Sequence, residues 1–153
     1  TDGGSTAPDS QSIKYGETAT APKDPTKTGF VFDGWYDGDS TEAFSFDTPI
    51  KTITNLTAHW LEACSVTFAY NDEGNVNGST ESMVVPVGKG RKVERPEDPK
   101  PYQYRLDYTG GTVTMTFTGW YTTNDLVDAY DFNAPVVENI TVYAGWKEDE
   151  NGG

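Results

Sequence analysis

Apolar and polar residues in this chain alternate in short runs; they do not recur every three or four positions. Leu56, Ala58 and Trp60 share one face of an extended segment, with Thr57 and His59 on the other. Val66, Phe68 and Tyr70 repeat the arrangement, and Cys64 is in phase with them. Further on, Val113, Met115 and Phe117 alternate with Thr112, Thr114 and Thr116, and Ile140, Val142, Ala144 and Trp146 line one face of a last run. A period of two marks a strand with one covered face. The segments "PKDP" and "PEDP" hold the backbone extended or turning, because proline biases the residue before it away from helix. The best helical candidate is Asn124–Phe132, where Asn124 could cap a turn or two. The pattern predicts a mainly β fold of small α+β type with little or no helix.

The runs come in two sets. "GFVFDGWYDGD" begins at Gly29, and its Gly-Trp-Tyr returns in "TFTGWYTTND" from Thr116. Aligned on that triplet, Phe46 falls on Phe132, Pro49 on Pro135, Leu56 on Val142, Ala58 on Ala144 and Trp60 on Trp146. Upstream, Pro22 matches Pro96, Pro25 matches Pro99, Phe30 matches Tyr104, and Gly16 is set against Gly88. Two copies of one module therefore fill the chain. The expected boundaries are 1–62 for the first, 63–148 for the second and 149–153 for a disordered tail. The second copy carries an inserted hairpin near 105–115, with "TGG" at Thr109 as its turn. It opens on "CSVTFAYNDEG", whereas "TDGGS" at the start of the first copy aligns beyond that strand. The first copy is thus expected to lack its opening strand, and finding Thr1–Ser5 inside a sheet would refute the alignment.

Charge narrows the partners. Eleven Lys and Arg stand against 24 Asp and Glu, a net charge of -13. Such a surface repels phosphate backbones and anionic headgroups, which argues against nucleic acid and membrane surfaces. No apolar run reaches the ~20 residues of a bilayer span. The chain reads as a soluble piece of a larger, monomeric multi-domain protein, without a signal peptide of its own. Only 35% of the residues are hydrophobic but 13% are aromatic, which suits small cores filled by a few large side chains. One cysteine, Cys64, allows no internal disulfide. Asn55, Asn77 and Asn139 head N-glycosylation triplets, two of them inside strand-like runs.

Each copy reads as a glycine, P-x-D-P, an aromatic, F-x-G-W-Y or its near equivalent, an acidic turn, x-F-x-x-P, and a closing strand ending in A-x-W. In this the chain resembles the Listeria–Bacteroides repeat, also called the internalin B-repeat, over residues 1–62 and 65–148. The resemblance implies small β-grasp-like modules in tandem on bacterial cell-surface or secreted proteins. The setting it implies is extracellular and wall-associated, and it carries no catalytic residue set.

The search for chemistry agrees with that. Cys64 and His59 differ in strand parity, which argues against a thiol site and for a buried Cys64 and a surface His59. Neither a nucleophile elbow, a phosphate loop nor a zinc set is present. The acidic turns Asp33–Glu42 and Asn71–Ser79 offer oxygen ligands of the kind calcium takes, yet match no EF-hand loop. Their carboxylates are expected to be solvated, and no cofactor is predicted. Paired carboxylates for an extracellular hydrolase are the remotest reading. Trp35, Phe46, Trp60, Trp120, Phe132 and Trp146 are expected to be repeated core, the competing reading being an exposed aromatic platform for sugars. What the copies do not share is the better place for a private role: Tyr102, Tyr104, Arg105 and Tyr108 gather around the inserted hairpin, and Tyr and Arg are common at binding hot spots. The expected function is a non-catalytic stalk or spacer with weak contacts to a host or neighbouring-cell protein or glycan. A carbohydrate- or protein-binding adhesin is the alternative.

Overall fold

A computed structural model of the chain describes residues 3–106 and 108–149. It contains six strands: β1 (Phe30–Asp37), β2 (Leu56–Ala69), β3 (Met83–Gly88), β4 (Tyr102–Arg105), β5 (Thr112–Tyr121) and β6 (Ile140–Glu148). No helix occurs among the described residues, so the fold is mainly β. The chain divides into two compact units, Thr1–Ala63 and Cys64–Gly153.

In the first unit β1 pairs antiparallel with the Leu56–Glu62 part of β2. The register slips between Phe32 and Gly34, a β-bulge that re-aims the strand just before Trp35. Gly34 lies at φ +134°, and a Cβ there would stand 3.0 Å from that of Ala43, so only glycine fits. Past the bulge, the Phe44 amide donates to the Trp35 carbonyl at 2.6 Å. Trp35, Tyr36 and Ala58 are buried in this unit.

The second unit repeats this arrangement and adds to it. β5 and β6 pair antiparallel with the same slip, between Phe117 and Gly119. The Tyr130 amide again donates to the carbonyl of the tryptophan, Trp120. In addition, Val66–Ala69 of β2 runs parallel to Ile140–Tyr143 of β6, β3 pairs with β2, and β4 pairs with β5. The result is a real core, in which Val66, Phe68, Val87, Val93, Trp120, Val136 and Val142 form one cluster. Val66, Phe68 and Val142 are fully buried, each burial worth about 1.5–3 kcal/mol. The Phe68 ring meets that of Trp120 edge-on at 5.0 Å and stacks parallel to Phe132 at 6.4 Å.

Three expectations need correction or qualification. Asn124–Phe132 is a turn, not a helical segment: Leu126 sits at φ 57°, and the Asp125 carboxylate accepts from the Val127 amide at 3.3 Å, a local bond that competes with helix. The counterpart of Gly16 is Gly90, not Gly88. The amides of Gly16 and Gly90 donate to Ile50 and Val136, and those two residues donate back to Glu17 and Arg91. This register also aligns Gly4-Ser5-Thr6 with Gly78-Ser79-Thr80. Of Thr1–Ser5, Gly3–Ser5 lie outside the strands, while Thr1 and Asp2, like the expected tail beyond Asp149, lie outside the described residues.

Candidate binding surfaces

The inserted hairpin forms as β4 and β5, with Tyr102 opposite Met115 and Arg105 opposite Thr112. Its four singled-out residues do not share a patch. Tyr102 is buried, its ring edge-on to Trp146 at 4.8 Å. Burial raises its hydroxyl pKa, and the charges of Asp72 and Glu73 add to that. The ring of Tyr104 covers Gly74, where a Cβ would fall within 2.4 Å of it. Arg105 is exposed, and Tyr108 is fully exposed on the turn. Two of the four are therefore packing residues of the hairpin and two are outward.

Gly74 belongs to the loop 71–80, expected to be a solvated acidic turn, and Tyr104 of β4 packs over it. Asp72 at its base is only 4% exposed. Its carboxylate accepts from the Thr80 amide and the Thr80 hydroxyl, both at 2.8 Å, and from Asn75 Nδ2 at 3.2 Å. Burial works to raise its pKa, but the bonds from Thr80 and Asn75 together outweigh it and hold the carboxyl below its ordinary value. The signal that could have found it is Asp72 ahead of a Gly-Ser-Thr that recurs in the first copy. In the other acidic turn, Asp37, Asp39 and Glu42 are exposed as expected, whereas Asp33 is half-buried and accepts from the Tyr36 hydroxyl at 3.0 Å.

Beside this loop is a shallow hollow of about 430 Å³ lined by Asn71, Glu73, Tyr102, Asn124, Leu126 and Trp146, among others. Both of the described non-glycine residues at positive φ, Asn71 and Leu126, lie on its wall. Asn71 Nδ2 donates to Asn124 Oδ1 at 2.8 Å, and Trp146 Nε1 donates to the Tyr70 carbonyl at 2.6 Å. Aromatic edges beside amides and one carboxylate are groups that a polar ligand such as a sugar could meet, and a lone carboxylate is not the pair that glycoside hydrolysis uses.

The first unit carries a larger groove of about 800 Å³, lined by Ile13, Trp35, Phe44, Phe46, Ile50 and Leu56 together with polar residues of the flanking loops. Here Phe44 and Phe46 are half-buried, and Trp35 is buried. The remaining core residues behave as follows: Trp60 packs edge-on to Phe32 at 5.7 Å, Trp120 is buried, and Phe132 and Trp146 pack against the second unit's cluster. The indole N–H groups of Trp35 and Trp120 are buried without an acceptor in both units, a shared feature for which the packing offers no account. Cys64 is buried, and His59 is exposed with its ring stacked on Tyr36 at 3.9 Å. Among the described residues no three His, Cys, Asp or Glu side chains are grouped as metal ligands.

The family model of the Listeria-Bacteroides repeat domain matches residues 1–59 and 65–145. Two proteins of Evansella cellulosilytica are similar. One, named "Putative membrane protein", is 30% identical over 139 residues, and the other, named "Putative Gly-rich membrane protein", is 30% identical over 138. These alignments take in 87% and 88% of this chain but only 18% and 14% of the relatives' lengths. No solved structure gives a significant match.

Proposed function

The chain belongs to the Listeria-Bacteroides repeat domain family, and we propose that it is a non-catalytic, extracellular spacer segment of a larger bacterial cell-surface protein. The observation that carries this reading is what the copies keep in common. Bulge, tryptophan, proline and closing strand recur, whereas the residues able to bind do not: Asp37, Gly38 and Asp39 are matched by Thr122, Thr123 and Asn124. A module repeated for its core is a structural unit, and its use is mechanical. Modules in series hold a distal domain away from the wall, and weak sites along them sum to useful avidity. The printed names of the two longer relatives support a place at the cell envelope. The β-grasp reading belongs to the same proposal; it is supported by the parallel pairing of the second unit's first and last strands.

Hydrolysis gains no support from the buried carboxylate. Asp72 is held in its charged form by donors, the reverse of the raised pKa that a general acid needs. The adhesin reading has one observation in its favour, the hollow beside Trp146. Screening the folded chain against bacterial and host glycans and extracellular proteins, with and without calcium, separates the two. The spacer reading expects no tight saturable binding by the isolated chain. Saturable binding abolished by Glu73→Ala, with the fold intact, would replace it with an adhesin whose site is the hollow; loss with Tyr108→Ala would put the site on the hairpin turn.

A further inference from the structure

We propose that the groove of the first unit is an acceptor for a β-strand, filled in the full-length protein by the closing strand of a further repeat running on ahead of Thr1. The second unit shows what such a groove holds when complete. There Val66–Ala69 pairs parallel with Ile140–Tyr143 and drives Val66 and Phe68 under Trp120. The counterparts of Ile140–Tyr143 are Thr54–Thr57. Among the described residues Thr54 and Asn55 lie in no strand, and Leu56 and Thr57 pair with β1 alone. The apolar residues beneath the groove tell the same story. Val136 and Val142 are 1% and 0% exposed, whereas their counterparts Ile50 and Leu56 are only half-buried and line the groove.

The neighbouring elements are unfinished in the same way. β3 pairs with β2 in the second unit; its counterpart, Asp9–Lys14, forms no strand. Thr80 donates twice to Asp72; its counterpart is Thr6, and the 153 residues contain no counterpart of Asp72. An open sheet edge above an apolar groove is the arrangement that binds an added strand, with alternate side chains setting specificity. The fitting occupant therefore has the pattern Val-x-Phe-x-Tyr, followed by an aspartate.

The source is argued from β2. This single strand closes the first unit with Leu56–Glu62 and opens the second with Val66–Ala69. The same joint one repeat earlier would deliver the missing strand in cis, and the similar proteins are several times longer than this chain.

The test grafts a copy of Cys64–Gly74 directly ahead of Thr1 in the full chain. This places an aspartate eight residues before Thr6, the separation of Asp72 and Thr80. Amide exchange at Thr54–Thr57 is expected to slow on the order of 100-fold, and a serine at the grafted phenylalanine should abolish the gain. Equal protection from the serine version, or none from either, overturns the proposal. Should the grafted chain not fold, the acetylated peptide Ser65–Asn71, at millimolar concentration, must shift the Thr54–Thr57 resonances of the unaltered protein; no shift overturns it. If the unaltered protein instead dimerises with rising concentration and protects those amides, the strand comes from a second copy and the assignment in cis is wrong.

Discussion

Replacing Asp72 tests whether a single buried carboxylate organises the loop from Asn71 to Thr80. Its oxygens accept three hydrogen bonds, two from Thr80 and one from Asn75. A bond to a charged group contributes about 1.5–3 kcal/mol net. The bonds share one acceptor, and Thr80 is exposed enough for water to replace it, so they do not sum. Asp72→Ala is therefore expected to cost about 2–3 kcal/mol, read by urea unfolding of the second unit through Trp120 fluorescence. Asp72→Asn keeps the size but turns an amide N–H₂ toward donors, and should cost nearly as much. The folded pKa is depressed, so the contribution of Asp72 is complete above the unfolded value and is lost as pH falls through the folded one. The gap between wild type and Asp72→Asn should accordingly be constant at neutral pH and close below about pH 4. A gap independent of pH down to 2, or an Asp72→Ala variant as stable as wild type, would refute the reasoning.

Other substitutions separate the two units. Gly34→Ala and Gly119→Ala both force a side chain to positive φ, costing about 1–3 kcal/mol; Gly34→Ala should cost more, because Ala43 stands in the way and the neighbours of Gly119 begin at 3.7 Å. Phe68→Ala empties a fully buried site and should cost about 3–5 kcal/mol in chemical denaturation. Phe46→Ala, on the wall of an open groove, should cost about 1 kcal/mol. On the hairpin, Tyr102→Ala removes a buried ring and should lower the melting temperature markedly. Tyr108→Ala should stay within about 0.5 kcal/mol of wild type.

The module was legible because its signal is period-two alternation repeated twice. Leu56, Ala58, Val66 and Phe68 could be assigned to covered faces from neighbours alone, and the paired Gly-Trp-Tyr revealed the second copy. What sequence spacing could not give was direction across the hairpin. Tyr102 and Tyr104 look like a cluster with Arg105 and Tyr108, but Trp146, 44 positions beyond Tyr102, captures the first and Gly74 the second. Asp72 was misread because an acid in a polar turn looks solvated until its donor is known, and that donor is eight residues away. Gly88 is the wrong match: the pairs Pro22–Pro96 and Pro25–Pro99, extended without a gap, already set Gly16 against Gly90, and the backbone bonds to Ile50 and Val136 agree. The Asn124–Phe132 segment failed as a helix because Asp125 bonds its own backbone.

One module is built twice, once with its opening strand paired and once with that edge bare. Residue-resolved hydrogen exchange on the unaltered chain tests it most directly. The amides of Ile140–Tyr143 that face β2 should be protected on the order of 100-fold or more beyond their counterparts in Thr54–Thr57. Equal protection at the two sets would contradict the claim.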